Sequence, residues 1–337
     1  MEACTEADSS EIWPIHFQPK SDELLSSWVM RLAIAYSMNY LTFIQTIAAS
    51  AYPAVTNFRT DWDCFAPRQA LHYLSRVTTT PFQSIERATL LQQAEASVLS
   101  PYWFLSASAI QYCPLCLSED QYPYFRREWR FAFITCCETH ESFLADSCPQ
   151  CGTSISCKQS RKEQENGDVY LALRYCHRCQ SDLGNKQTTH LPSISELEFH
   201  QHLRHAIRQG GVDLPAGYRV ASHRYFAGIQ TVTHRLTIGK SGQVLQQALL
   251  SNIESNKLSQ VEAPIVSCQI NRLNLNQRRV ILHLLWKLIQ TWPATGAKCA
   301  NSAKGYDKLL FREEQRLNIE LCRIFLIDES DDTEHFV

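Results

Sequence analysis

The sequence predicts a mainly α-helical protein with small zinc-ribbon or zinc-knuckle β elements at its centre. Three observations carry that expectation. Glycine is scarce, 11 in 337 residues, about half its average usage. Apolar residues repeat at helical spacing towards both ends of the chain. Nine of the 14 cysteines crowd between positions 110 and 180. The expected organisation is an N-terminal helical region with a helix-turn-helix (1–108), a tandem zinc-binding module (109–190), a C-terminal helical domain (191–327) and an acidic disordered tail (328–337).

The first helix is expected from Asp22. Leu24, Leu25, Trp28, Val29, Leu32 and Tyr36 follow a helical repeat, and Asp22 and Glu23 sit at the end that favours acids. A second helix is expected over 39–51, stopped before Pro53. Leu71, Leu74 and Val77 mark a third. A Thr78-Thr79-Thr80-Pro81 break follows, and Pro81 suits the first turn of a further helix carrying Phe82, Ile85 and Leu90. Helix, short turn, helix over 69–90 fits a helix-turn-helix. Aromatic and β-branched residues at Tyr122, Tyr124, Phe125, Trp129, Phe131, Phe133 and Ile134 predict short strands, and 158–168 reads as a loop. Helices return from Ile194. The clearest spans 277–292, capped by Asn276 and ended by Pro293, with Ile281, Leu284, Leu285, Leu288 and Trp292 on its apolar side. Arg279, His283 and Lys287, four apart, line the opposite side. A last helix is expected through Arg316, Leu317, Leu321, Ile324 and Phe325.

The cysteine-rich segment carries the chemistry. Four dyads stand out: Cys113-x-x-Cys116, Cys137-x-x-His140, Cys148-x-x-Cys151 and Cys176-x-x-Cys179. Zinc takes four thiolate or imidazole ligands in a tetrahedron, and a two-residue gap lets one tight turn present two of them. The intervals between dyads, 20 residues from Cys116 to Cys137 and 24 from Cys151 to Cys176, suit zinc sites. Pairing the first dyad with the second and the third with the fourth gives one Cys3His and one Cys4 site. The interleaved pairing, first with third and second with fourth, competes. Cys136 competes with Cys137, which keeps the spacing to His140. Cys157, Cys4, Cys64, Cys268, Cys299 and Cys322 fall outside the dyads. Two closed, structural Zn2+ ions are therefore expected, each contributing about 10–16 kcal/mol on binding.

Composition narrows the function. The formal charge is −2, but positions 201–325 hold 17 Lys plus Arg against 7 Asp plus Glu, and the tail holds five acids. A basic stretch beside an acidic tail suits contact with phosphate or an acidic partner. Candidate contacts are Arg76 and Arg87 near the expected turn, and Arg278, Arg279, His283 and Lys287 on the C-terminal helix. No apolar run reaches membrane-spanning length, and the acidic start lacks the basic n-region of a signal peptide. A bacterial cytoplasmic, DNA-associated location is expected, where clustered thiols bind metal rather than form disulfides. Enzymatic signatures fail. His140-Glu141 opens like H-E-x-x-H, but Leu144 stands where the second histidine belongs. Gly239-Lys240-Ser241 resembles a P-loop end, but His234 occupies the first glycine position. His200, His202 and His205 read as the polar side of a helix.

Trp13-Pro14 followed by Asp22-Glu23-Leu24-Leu25-Ser26-Ser27-Trp28-Val29-Met30-Arg31-Leu32 resembles the opening of the TniQ/TnsD family. The family's later hallmarks read here as Cys113-Pro114-Leu115-Cys116, Tyr124-Phe125-Arg126-Arg127-Glu128-Trp129, Cys137-Glu138-Thr139-His140-Glu141 and Cys148-Pro149-Gln150-Cys151-Gly152. The resemblance covers about residues 12–180. Glu138 and Glu141 stand where the family has proline and glycine, which questions local turn shape and leaves the ligands intact. The resemblance implies a non-catalytic adaptor for target-site selection in a multi-component DNA transposon. TniQ-type members join an RNA-guided, Cascade-type CRISPR effector with its crRNA to the AAA+ ATPase TnsC, whereas TnsD-type members read a chromosomal attachment site directly. The length resembles the compact, effector-bound type. Target DNA is a further implied partner, no membrane is, and a homodimer is compatible with either type.

Overall fold

The computed structural model describes residues 12–51, 61–90, 104–105, 110–156, 173–185, 191–213, 219–240, 242–243, 246, 265 and 269–291. Cys4, Pro53, Cys157, the expected 158–168 loop, Cys268, Trp292, Pro293, Cys299, Cys322, the last expected helix and the acidic tail lie outside them. The described residues are mainly helical. None of their helices is long and apolar enough to cross a membrane. The chain divides into two compact units, 1–96 with 104–192, and 97–103 with 193–337.

The first unit is built around α1 (Leu25–Ala35). This helix is buried on nearly every side: Leu25, Trp28, Val29 and Leu32 are sealed, and so are Ser26 and Ser27. A helix apolar all round belongs inside a core, and its polar residues need partners there. Ser26 donates its amide (2.7 Å) and hydroxyl (2.9 Å) to the Asp63 carboxylate. The Ser27 hydroxyl donates to Glu23 and accepts from the Phe125 amide. Glu23, expected as an acid at the start of the helix, lies just ahead of it, fully buried and paired with Arg31 at 2.6 Å. Trp28 lies under this layer, and Trp28→Ala would cost about 3–5 kcal/mol.

Packed on α1 are α2 (Tyr40–Ala51), started by the Asn39 side chain accepting from Thr42 N, and α3 (Trp62–Phe65), capped by Asp61. α4 (Arg68–Val77) packs on α2 and on α5 (Phe82–Ala88). The turn between them places Thr79 at φ 51° and uses Pro81 as the cap of α5, one position earlier than expected. Phe82 is half covered by the His72 ring, stacked at 4.2 Å.

The aromatic stretch after Tyr122 does not form strands. Arg127–Arg130 is a 3-10 turn, flanked by isolated bridges Glu23 to Arg126 and Phe104 to Phe131. The rings are recruited singly into the core, with Phe125, Trp129 and Phe133 sealed, so alternation never develops. Two arginines fix this turn. Arg126 takes Asp120 bidentately at 3.1 Å and Asp22 at 3.3 Å, between the rings of Tyr124 and Trp129. Arg130, fully buried, holds Asp61 at 2.5 Å, Asp63 at 2.6 Å and the Leu105 carbonyl.

The second unit holds α7 (Ile194–Gln209), a two-stranded antiparallel hairpin of β1 (Gly211–Asp213) and β2 (Arg219–Ala221), α8 (Ser222–Thr237) and α9 (Leu275–Thr291). α7 opens with a reciprocal Ser193–Glu196 capping box and closes on Gly210 at φ 66°, the left-handed conformation glycine adopts without strain. α9 starts earlier than expected. Asn274 and Gln277 exchange side-chain and backbone bonds, which makes Asn274 the cap in place of Asn276. Phe199, Tyr225 and Trp286 bring α7, α8 and α9 together around the His202 ring.

Candidate metal centres

Each dyad is shaped by local backbone chemistry. Cys113 caps α6 (Pro114–Glu119), with Pro114 in the first helical turn and the Cys116 amide pointing at the Cys113 sulfur, 3.5 Å away. The other three dyads are tight hairpins of one design. The amide of the first ligand donates five residues ahead: Cys137 to Ser142 O (2.8 Å), Cys148 to Thr153 O (2.8 Å), Cys176 to Ser181 O (2.9 Å). The residue after the second ligand adopts positive φ in all three: Glu141 at 46°, Gly152 at 68° and Gln180 at 61°. Replacing the family glycine by Glu141 therefore leaves the turn's shape in place, at the backbone cost a non-glycine residue bears there.

The structure gathers the first dyad with the second and the third with the fourth. The ligand atoms of Cys113, Cys116, Cys137 and His140 lie within 4.8 Å of one another, and so do those of Cys148, Cys151, Cys176 and Cys179. A tetrahedron with metal–sulfur bonds near 2.3 Å has edges of about 3.8 Å. Observed edges are 3.6 Å for Cys116–Cys137, 3.6 Å for Cys148–Cys179 and 3.7 Å for Cys151–Cys176. The eight donors have the chemistry and spacing of two thiophilic-metal centres. Cys136 lies outside the cluster: it bridges to Phe143 and is sealed.

Two features of the first centre escape sequence reasoning. His140 turns Nδ1 inwards, 3.3 Å from the Cys116 sulfur, and Nε2 outwards to Glu119 at 2.8 Å. Glu119 thus fixes the tautomer that leaves Nδ1 free to ligate. Its place on the turn after Cys116 is readable from spacing, but its reach to His140 depends on tertiary packing.

The two centres differ in cover. Cys113, Cys116 and Cys137 are at most 3% exposed, and His140 14%. In the second, Cys148 and Cys176 are buried, Cys151 is half-buried and Cys179 is exposed.

The expected partner-facing residues separate. Arg76 and Arg87 are exposed on α4 and α5. Arg278 is a correction: it is 1% exposed, its Nε donating to the Leu273 carbonyl, because α9 is enclosed on more sides than its apolar stripe required. Arg279, His283 and Lys287 are half-buried, not a solvated face. The histidines of α7 do not converge and are not one polar side: His200 is buried and donates to Glu196 O (2.7 Å), His202 packs on Tyr225 and Trp286, and His205 is exposed.

No curated protein matches the chain. Residues 14–144 match the family model TniQ, a segment that contains α1, the arginine-stitched turn and the whole first metal centre, and stops short of the second. Residues 14–144 thus carry a TniQ domain, the domain of a family of transposition accessory factors.

Proposed function

We propose that this chain is the target-selection adaptor of a multi-component DNA transposon, joining an RNA-guided, Cascade-type effector with crRNA to the AAA+ regulator TnsC at target DNA. In this reading Cys113, Cys116, Cys137 and His140 hold one structural zinc ion and Cys148, Cys151, Cys176 and Cys179 a second. The observation that carries it is the TniQ domain folded around a centre whose four donors all come from protein. Four protein ligands fill zinc's tetrahedron and leave no position for a reacting water, which supports a scaffold and not a hydrolase. The ions would set the angles between hairpins, while Arg126 ties that platform to Asp22, ahead of α1, and Arg130 ties it to Asp61 and Asp63 at the start of α3. Affinity capture from cells expressing the neighbouring transposon and CRISPR components tests it. Recovery of TnsC together with effector and crRNA is expected; recovery of neither overturns it.

The exposed cations of α4 and α5 favour a second, TnsD-type reading. Arg68, Arg76 and Arg87 flank the 78–81 turn, and the Arg68 guanidinium lies 5.5 Å from the Phe82 ring. As a helix-turn-helix, this surface would bind one attachment sequence without guide RNA, with affinity falling steeply as salt rises. Weak binding of all duplexes alike sinks that reading.

A further inference from the structure

We propose that the second centre is an oxidant-sensitive site at which a hydroperoxide replaces the metal by two disulfides, Cys148–Cys179 and Cys151–Cys176, while the first centre keeps its ion. This rests on the reading of both clusters as zinc centres.

Accessibility selects the point of attack. Only thiolate sulfur that an oxidant can reach is oxidised at a useful rate. Cys179 is exposed and Cys151 half-buried, whereas the three sulfurs of the first centre are covered and its imidazole edge is closed by Glu119. All four sulfurs lie within 4.8 Å of one another, so disulfides can close between the hairpins without rearrangement. The Cys179 sulfur is 3.6 Å from that of Cys148, and Cys151 is 3.7 Å from Cys176. The Ser181 hydroxyl sits against both members of the first pair, 3.1 Å from Cys148 and 3.2 Å from Cys179, and keeps the two sulfurs together. Both bridges run from one hairpin to the other. Oxidation would therefore staple covalently the same two turns that the ion holds, so the module keeps its arrangement. The first centre has no equivalent outcome: three thiols and an imidazole make one disulfide and leave a sulfur over.

The chemistry balances. The Cys179 thiolate attacks a peroxide oxygen, the O–O bond breaks, and hydroxide (or alkoxide) leaves, giving a sulfenic acid. The Cys148 thiolate then attacks that sulfur and expels a second hydroxide. One peroxide takes two electrons per disulfide, and two peroxides complete both bridges. Disulfide sulfurs carry no charge, so Zn2+ is released. A dithiol reductant and fresh zinc reverse the change.

The test uses the full, zinc-loaded chain. Zinc content is measured first, then hydrogen peroxide is added while released zinc is followed with a chromogenic chelator and disulfides are mapped by mass spectrometry of proteolytic peptides. One equivalent of zinc is expected to leave at least about tenfold faster than the other, together with the Cys148–Cys179 link and full recovery after dithiothreitol and zinc. Release of both ions at one rate, a first disulfide within Cys113, Cys116 and Cys137, or a link inside one hairpin such as Cys148–Cys151 overturns the inference. Fewer than two zinc ions before peroxide is added instead overturns the reading of the clusters as zinc centres.

Discussion

The two units of this chain are held together by different physics. In the first, the polar residues inside are charged and matched: Arg130 against Asp61 and Asp63, Glu23 against Arg31, Arg126 against Asp22 and Asp120, and two clusters of metal donors. In the second, helices pack through aromatic rings around imidazoles that the fold keeps neutral. Burial pulls His200 and His202 down to about 4 and lowers His283. If the donor clusters hold the proposed ions, the first unit is fastened by metal and ion pairs and should fail abruptly when one fastener is removed. A unit fastened by apolar packing should fail gradually, and in acid.

Metal removal separates them most. A structural zinc ion contributes about 10–16 kcal/mol, as much as the whole net stability of an ordinary domain, about 5–15 kcal/mol. Chelation of the intact protein, or Cys113→Ser, is expected to abolish hydrogen-exchange protection in α1 and around 110–150 while α7 and α8 stay protected. Equal loss in both units would break the comparison.

Arg130→Met comes next. It leaves Asp61 and Asp63 facing each other without their cation and the Leu105 carbonyl without its donor. Removing one partner of a buried ion pair costs about 3–5 kcal/mol. Urea midpoints read by pulse proteolysis should fall for the first unit alone. An unchanged midpoint would mean the network is replaceable.

Acid acts on the second unit with a definite sign. The folded state holds His200 neutral, and the unfolded state takes up its proton near pH 6.5. Between pH 6.5 and 4 the unfolded chain binds more protons. The stability tied to this group is thus complete above 6.5 and lost as pH falls towards 4. Burial among Arg204 and Arg279 makes it on the order of 3 kcal/mol. Zinc thiolates also protonate in acid, so the discriminating variant is His200→Gln. It should flatten the acid slope of the second unit and leave that of the first unchanged; equal flattening of both would refute the assignment.

How much of this was legible in the sequence follows from the range of the interactions. Helix positions and the four dyads come from spacing, which is local, and α1, α2, α4 and α9 lie where periodicity puts them to within a few residues. The choice of Cys137 over Cys136 also follows from a local rule, the two-residue spacing to His140. Strands read from the aromatics of 122–134 were misplaced, because those rings are buried one by one against each other and Phe104 around a 3-10 turn, an arrangement that local composition does not reveal. Arg278 reads as a surface cation because the helical repeat shows only the apolar stripe of α9, and not that the helix is covered on further sides. Glu23 reads as a helix-end charge because its burial depends on tertiary contacts, a bridge to Arg126 and the ion pair with Arg31 of α1, that local spacing does not reveal.

The smallest effect gives the sharpest discrimination. Each unit places a glycine at positive φ in open space: Gly152 (φ 68°) in a hairpin of the second centre, and Gly210 (φ 66°) at the end of α7. A methyl at either meets nothing within 4 Å, so Gly→Ala reads backbone conformation alone, about 1 kcal/mol. Glu141→Gly and Gln180→Gly reverse the change at φ 46° and 61° and are expected to stabilise by less than about 1 kcal/mol, since glycine also loses more entropy on folding. If the hairpin turns exist because metal imposes them, the penalty of Gly152→Ala should vanish when zinc is chelated. That of Gly210→Ala should stay, because a helix end needs its left-handed residue whether or not a metal is bound. A Gly152→Ala penalty that survives chelation would mean the hairpin forms without its ion, and the first unit would then be held by packing as the second is.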